Sequence, residues 1–99
     1  MTQPAIDSLL RVLQDTRSRL ATPGADFVPS GWDDQAQALA ELDRHIALAA
    51  IEQVDRAALS LLFAPTGPLQ EFSLANEWGR EFLELARRYD ACLKGCGEA

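Results

Sequence analysis

The chain is predicted to be all-α: a four-helix bundle or compact helical array, with a short, central third helix, in one helical domain over residues 1–99. Three observations predict this. Alanine and leucine dominate the composition and both favour helix, while β-branched residues are few. Two long segments, one near each end, carry apolar residues at spacings of three and four, the period of a helix with one buried face. Proline and glycine are concentrated between periodic segments, at Thr22-Pro23-Gly24 and Pro65-Thr66-Gly67-Pro68. Ninety-nine residues make one small domain that buries roughly 60–65% of its unfolded surface. Its 47% hydrophobic and 24% charged content is a globular balance, not a disordered one.

The first helix is expected from about Gln3 to Ala21. Thr2 is a suitable N-cap and Pro4 is tolerated in the first turn. Ile6, Leu9, Leu10, Leu13 and Leu20 share a face, with Thr16 and Arg17 between them, and Thr22-Pro23-Gly24 ends the helix. In the loop that follows, Phe27 and Val28 are expected to tuck inward. The second helix has a start signal at Ser30-Gly31-Trp32-Asp33, a capping-box spacing with Asp in place of Glu. Trp32, Ala36, Leu39, Ile46 and Ala50 form its expected inner stripe, with Asp43 discordant, and it should end near residue 50.

Nothing in residues 51–55, IEQVD, breaks a helix by composition, so one helix from Asp33 to Phe63 fits the local propensities. Such a helix would be roughly 46 Å long, excessive for a domain of this size. A tight break near 51–55 is therefore expected, with Asp55 capping a short helix over 56–64. Ala57, Ala58, Leu59, Leu61, Leu62, Phe63 and Ala64 leave that helix apolar nearly all round, which suits a central position or an oligomer interface.

Residues 65–75 are expected to be a loop. Its segment FAPTGPLQEF, residues 63–72, combines strong turn chemistry with Phe63, Leu69 and Phe72. A loop this apolar either packs as a structural lid or contacts a partner, and a packed lid is expected. The last helix is expected to start after Ser73 or Asn76. Trp78, Phe82, Leu85, Ala86, Tyr89 and Leu93 make its stripe, and Gly95 and Gly97 end it.

The charge balance excludes several functions. A net charge of −6, with nine basic residues and no basic run, argues against nucleic acid and against an anionic membrane surface. The N-terminus carries Asp7 and Asp15 without a long apolar core, unlike a signal or transit peptide, and the most apolar stretch, 46–64, is interrupted by Glu52, Gln53, Asp55 and Arg56. A cytoplasmic location is expected, and eight arginines against one lysine suggest a GC-rich bacterial genome. Acidity is compatible with a basic protein partner and also with solubility alone.

No set of residues specifies an active site. Cys92 and Cys96 lack two further zinc ligands nearby, and a disulfide between them would have poor geometry. Glu41, His45 and Glu52 would share a face on an unbroken helix, but the expected break disperses them. The expected reading is a solvated face with a Glu41–His45 pair rather than a metal-ligating stripe. Glu77, Glu81 and Glu84 interleave with Arg80, Arg87 and Arg88 as an ordinary charged face, with Glu84–Arg88 and Glu52–Arg56 at the favourable i,i+4 spacing. There is no G-x-S-x-G and no phosphate loop. No enzymatic activity and no cofactor are expected.

Two stretches set a Trp beside a Gly where a helix should start: Gly31-Trp32-Asp33 and Glu77-Trp78-Gly79. The tryptophans are either core or partner anchors. Gly79 either permits close approach by the loop or a ligand, or sits in a frayed first turn. The candidate interaction surface is therefore Trp32, Pro68, Leu69, Phe72, Trp78 and Gly79. The expected function is a small protein-interaction or regulatory module, whether adaptor, chaperone or immunity/antitoxin-like inhibitor, that binds another protein and self-associates as a candidate homo-oligomer. The rival is a small-ligand- or metal-binding helical protein, using a pocket between Trp32, Trp78 and the loop or the Glu41/His45/Glu52 stripe.

Overall fold

A computed structural model describes residues 2–27, 32–64 and 67–97, the last four by backbone alone. Its described residues form five helices: α1 (Gln3–Leu20), α2 (Gln35–Ala50), α3 (Arg56–Leu62), α4 (Pro68–Ala75) and α5 (Gly79–Gly97). The fold is all-α, as expected, and a helical array describes it. α1 packs against both α2 and α5, and α4 packs against α5. The extents are 40 × 23 × 19 Å, so an unbroken helix over 33–63, roughly 46 Å long, would overrun the long axis.

α1 forms where its periodicity predicts. The Thr2 hydroxyl accepts from the Ala5 N–H at 3.3 Å, and Ala5, Ile6, Leu9, Val12, Leu13, Thr16 and Leu20 are buried. Thr16 is tolerated inside because its hydroxyl donates to the Val12 carbonyl one turn back, at 2.8 Å. At the far end Gln35 donates to the Leu20 and Thr22 carbonyls, at 2.9 and 3.1 Å, so the start of α2 caps the end of α1.

α2 begins later than its sequence signal suggests. The expected Ser30 cap lies outside the described residues. The cap that forms is Asp34, which accepts from the Gln37 N–H at 2.9 Å, while Gln37 Oε1 accepts from the Asp33 N–H at 2.5 Å. Trp32 therefore precedes the helix, and the inner face is Ala38, Leu42, His45 and Ala49. The expected stripe was rotated from this one: Ala36 and Ala50 are exposed, Leu39 and Ile46 half-buried. The displaced register also explains Asp43, which lies on the surface and accepts from Arg17 Nε of α1 at 2.5 Å.

The break after α2 is present, and Asp55 caps α3 through the Ala58 N–H at 3.1 Å. α3 is short, but it is not buried all round as its composition suggested. Leu59 and Leu62 face inward with Phe63, whereas Ala57, Ser60 and Leu61 are exposed.

The expected loop over 65–75 contains a helix that the turn reading concealed. Gly67 is the N-cap of α4 and Pro68 its first residue, positions that both residue types favour. Gly67 is also required by space: a Cβ there would lie 2.3 Å from the Leu61 carbonyl oxygen and 3.1 Å from that of Leu62, both rigid backbone. Leu69 and Phe72 then point into the core at the spacing of one helical turn. Phe72 packs between Phe27, at 4.6 Å between ring centroids, and Trp78, at 5.4 Å edge-on. Each such fully buried side chain contributes roughly 1.5–3 kcal/mol by transfer from water.

α5 carries the strongest inner stripe. Phe82, Leu85, Tyr89 and Cys92 are buried behind Trp78, while Ala86 and Leu93 are half-buried. Tyr89 stacks on Phe63 at 4.7 Å and its hydroxyl meets the Ser60 hydroxyl at 3.1 Å. No helix among the described residues is long and apolar enough to cross a membrane.

Candidate functional site

The six residues singled out from sequence do not make one exposed surface. Trp32, Leu69, Phe72 and Trp78 are core residues, and Phe72 is fully buried. Pro68 and Gly79 are half-buried. Phe27 joins the cluster, lying 6.5 Å from Trp32 and 4.6 Å from Phe72, so aromatic rings occupy the space between the two tryptophans where a ligand pocket was expected. Trp32 still satisfies its indole N–H, which donates to Glu41 Oε1 at 3.2 Å. Among the described residues nothing approaches Gly79 closely: a Cβ there would meet nothing within 4 Å.

The Glu41/His45/Glu52 stripe is likewise dispersed. Glu41 pairs with Trp32, and Glu52 is exposed in the turn after α2 with φ 59°. Among the described residues no three His, Cys, Asp or Glu side chains gather as metal ligands would. Nor does His45 lie on a solvated face: it is 1% exposed. Its Nε2 lies 3.5 Å from Arg44 Nη2, and its Nδ1 has no hydrogen-bond partner among the described residues. Burial, aided by the Arg44 charge, pushes its pKa below the usual histidine value, against the weaker pull of Glu41 and Asp55.

The charged face of α5 also departs from its expected pairing. Arg88 turns toward α1 and bonds Asp15 at 2.8 Å, while Glu84 takes Arg87 at 2.9 Å. Glu52 lies outside any helix, so the i,i+4 geometry expected with Arg56 does not form. Cys92 is a free, buried thiol whose pKa burial raises. The side chain of Cys96 lies outside the described residues.

What sequence reading missed is a groove along α5. Leu83, Ala86, Asp90 and Leu93 line one side of it, with Phe82 and Tyr89 at the base; Phe63, Ala64 and Ser60 at the α3 end and Gln70 of α4 complete it. The volume is about 330 Å³. Leu83, Ala86, Asp90 and Leu93 recur at three- and four-residue intervals, a second stripe beside the buried one. Leu83 is the informative member. It has no place in the inner stripe and remains 61% exposed. A full count of the two stripes on α5 could have found it. Leu61, Ile51 and Leu74 are also large apolar side chains left exposed, but they do not line the groove.

No protein family, curated protein or solved structure matches this chain.

Proposed function

We propose that the protein is a small, non-catalytic interaction or regulatory module that receives the apolar face of a partner helix in the groove between α3, α4 and α5. The observation that carries this reading is Leu83, a large apolar side chain left in water on α5 beside an aromatic-floored groove. In a helix-in-groove contact the partner helix inserts apolar anchors at three- and four-residue spacing, and Leu83, Ala86 and Leu93, three and seven residues apart along α5, give them an apolar wall. Asp90 within the groove and the net charge of −6 favour a partner with basic residues flanking its apolar face. A cytoplasmic adaptor, chaperone or inhibitor would have this form, and a second copy of the chain is the competing occupant.

The test is affinity capture from the native host with the wild-type protein and Leu83→Asp, followed by sedimentation velocity of both at micromolar concentration. A specific protein retained by the wild type and lost with Leu83→Asp is the expected result. The same retained set for both proteins would remove the groove from the reading. A dimer abolished by Leu83→Asp would replace the foreign partner with a second copy.

A further inference from the structure

α1 and α5 enclose a second depression, on the side of α5 away from the groove. It holds about 480 Å³, within the range of roughly 300–1,000 Å³ typical of small-molecule sites. Its lining divides by chemistry. Pro4, Val12 and Cys92 supply an apolar wall, and Arg11, Arg88 and Ser8 supply donors. Two arginine side chains thus line one cleft of a protein whose net charge is −6, Arg88 at its border with the neighbouring depression that Asp15 lines. Asp15 engages Arg88 through Nη1 alone, at 2.8 Å, leaving its other N–H groups available. Arg11 has no ion pair among the described residues. At the first turn of α1 the Ala5 and Ile6 N–H groups are already taken by Thr2.

We propose that the α1/α5 cleft binds a small amphiphilic anion, its oxyanion head held by Arg11 and Arg88 and its apolar body laid against Pro4, Val12 and Cys92. Guanidinium suits this task because its planar fork matches carboxylate and phosphate oxygens, and because it is weakly hydrated and keeps its charge beside apolar surface. Ser8, one turn before Arg11 on α1, supplies a hydroxyl donor to the same head. The partner groove plays no part in this assignment.

Amide-detected NMR titration tests it, with octanoate and octyl phosphate as the amphiphilic anions. Octylammonium carries the opposite charge, and inorganic phosphate is the head alone. Saturable shifts at Ser8, Arg11, Val12 and Ala91 are expected with either anion, with Leu83 and Leu93 undisturbed. Arg11→Gln, an exposed change that leaves the core intact, should weaken binding by roughly tenfold, as loss of a hydrogen bond to a charged group implies. Shifts confined to the groove would overturn the proposal. So would equal binding of octylammonium, equal binding of inorganic phosphate, or unchanged affinity in Arg11→Gln.

Discussion

Two turns end helices in this protein by the same device and are supported differently. After α2, the Gln53 N–H reaches the Leu48 carbonyl at 2.8 Å and the Glu52 N–H reaches that of Ala49 at 3.0 Å. After α4, the Trp78 N–H reaches the Ser73 carbonyl at 2.9 Å. Both carry the 6→1 bond of a Schellman motif, and in both the left-handed residue is a glutamate: Glu52 at φ 59° and Glu77 at φ 61°. The second turn is clamped. Asn76 accepts from the Asp26 N–H and donates to the Asp26 carbonyl, each at 2.8 Å, and donates to the Phe72 carbonyl at 2.9 Å. Trp78 adds the apolar contact that often accompanies the motif, packing edge-on against Phe72. The first turn has Ile51 66% exposed and, seven residues before Glu52, the incompletely bonded His45. A strained residue persists where its surroundings over-determine it, and the two turns differ in how much surrounds them.

Removing the clamp's core tests the difference most severely. Phe72→Ala deletes the ring between Phe27 and Trp78 and is expected to cost roughly 3–5 kcal/mol, a large share of a small domain's stability. Ile51→Ala, at the exposed turn, should stay within about 0.5 kcal/mol. Urea denaturation of both variants measures the contrast, and similar costs would erase it. Asn76→Ala should come next, at about 1–2 kcal/mol. It removes three hydrogen bonds, but two lie at the surface, where water replaces them.

His45 gives the α2 side its own signature. Its folded pKa lies below the usual value near 6.5, so the folded state binds fewer protons than the unfolded state in mild acid. This contribution to stability is fully present above about pH 6.5 and is lost as pH falls toward the folded pKa. Denaturation midpoints between pH 7.5 and 5.5 should fall in the wild type and fall less in His45→Leu. An equal slope in the two proteins would show that His45 is not responsible.

These turns also explain what was legible in the sequence. α1 and α5 could be read because their buried residues recur at helical spacing and the punctuation lies outside them. α4 could not, because Gly67 and Pro68 signal a turn and a helix start equally well, and only the approach of Gly67 to the Leu61 carbonyl decides. The α2 register is not legible because Trp32 fits the helical stripe in sequence, although it is buried from the segment before the helix. A stripe that includes Trp32 places His45 outside. The groove was missed because Leu83 adds a second face to α5, and amphipathic patterns are read as having one.

The two glutamates offer smaller tests of the contrast between the turns. A non-glycine residue in the left-handed region costs roughly 1 kcal/mol, so Glu52→Gly and Glu77→Gly should each stabilise by up to about that amount. If the clamp holds Glu77 in place against its own preference, the strain is present there as fully as at Glu52, and the two gains should be similar. A gain at Glu52 alone would mean that the Glu77 side chain makes a compensating interaction worth the difference.

Gly79 is the glycine nearest to the second turn, yet it does not occupy the left-handed position. It is the first residue of α5, two residues beyond Glu77, it has no positive φ, and a Cβ added to it meets only open space. Gly79→Ala should therefore stabilise, by the lower end of roughly 0.4–1 kcal/mol, because the gain comes from restricting the unfolded chain and the site is at a helix end. The exchange Glu77→Gly with Gly79→Ala moves the glycine to the position whose geometry calls for it. Its gain should exceed that of either change alone, and thermal melts of the three variants measure it. A loss from Gly79→Ala would mean that this turn uses glycine for access, the role that the neighbouring Trp78 first suggested and the open space around Gly79 does not support.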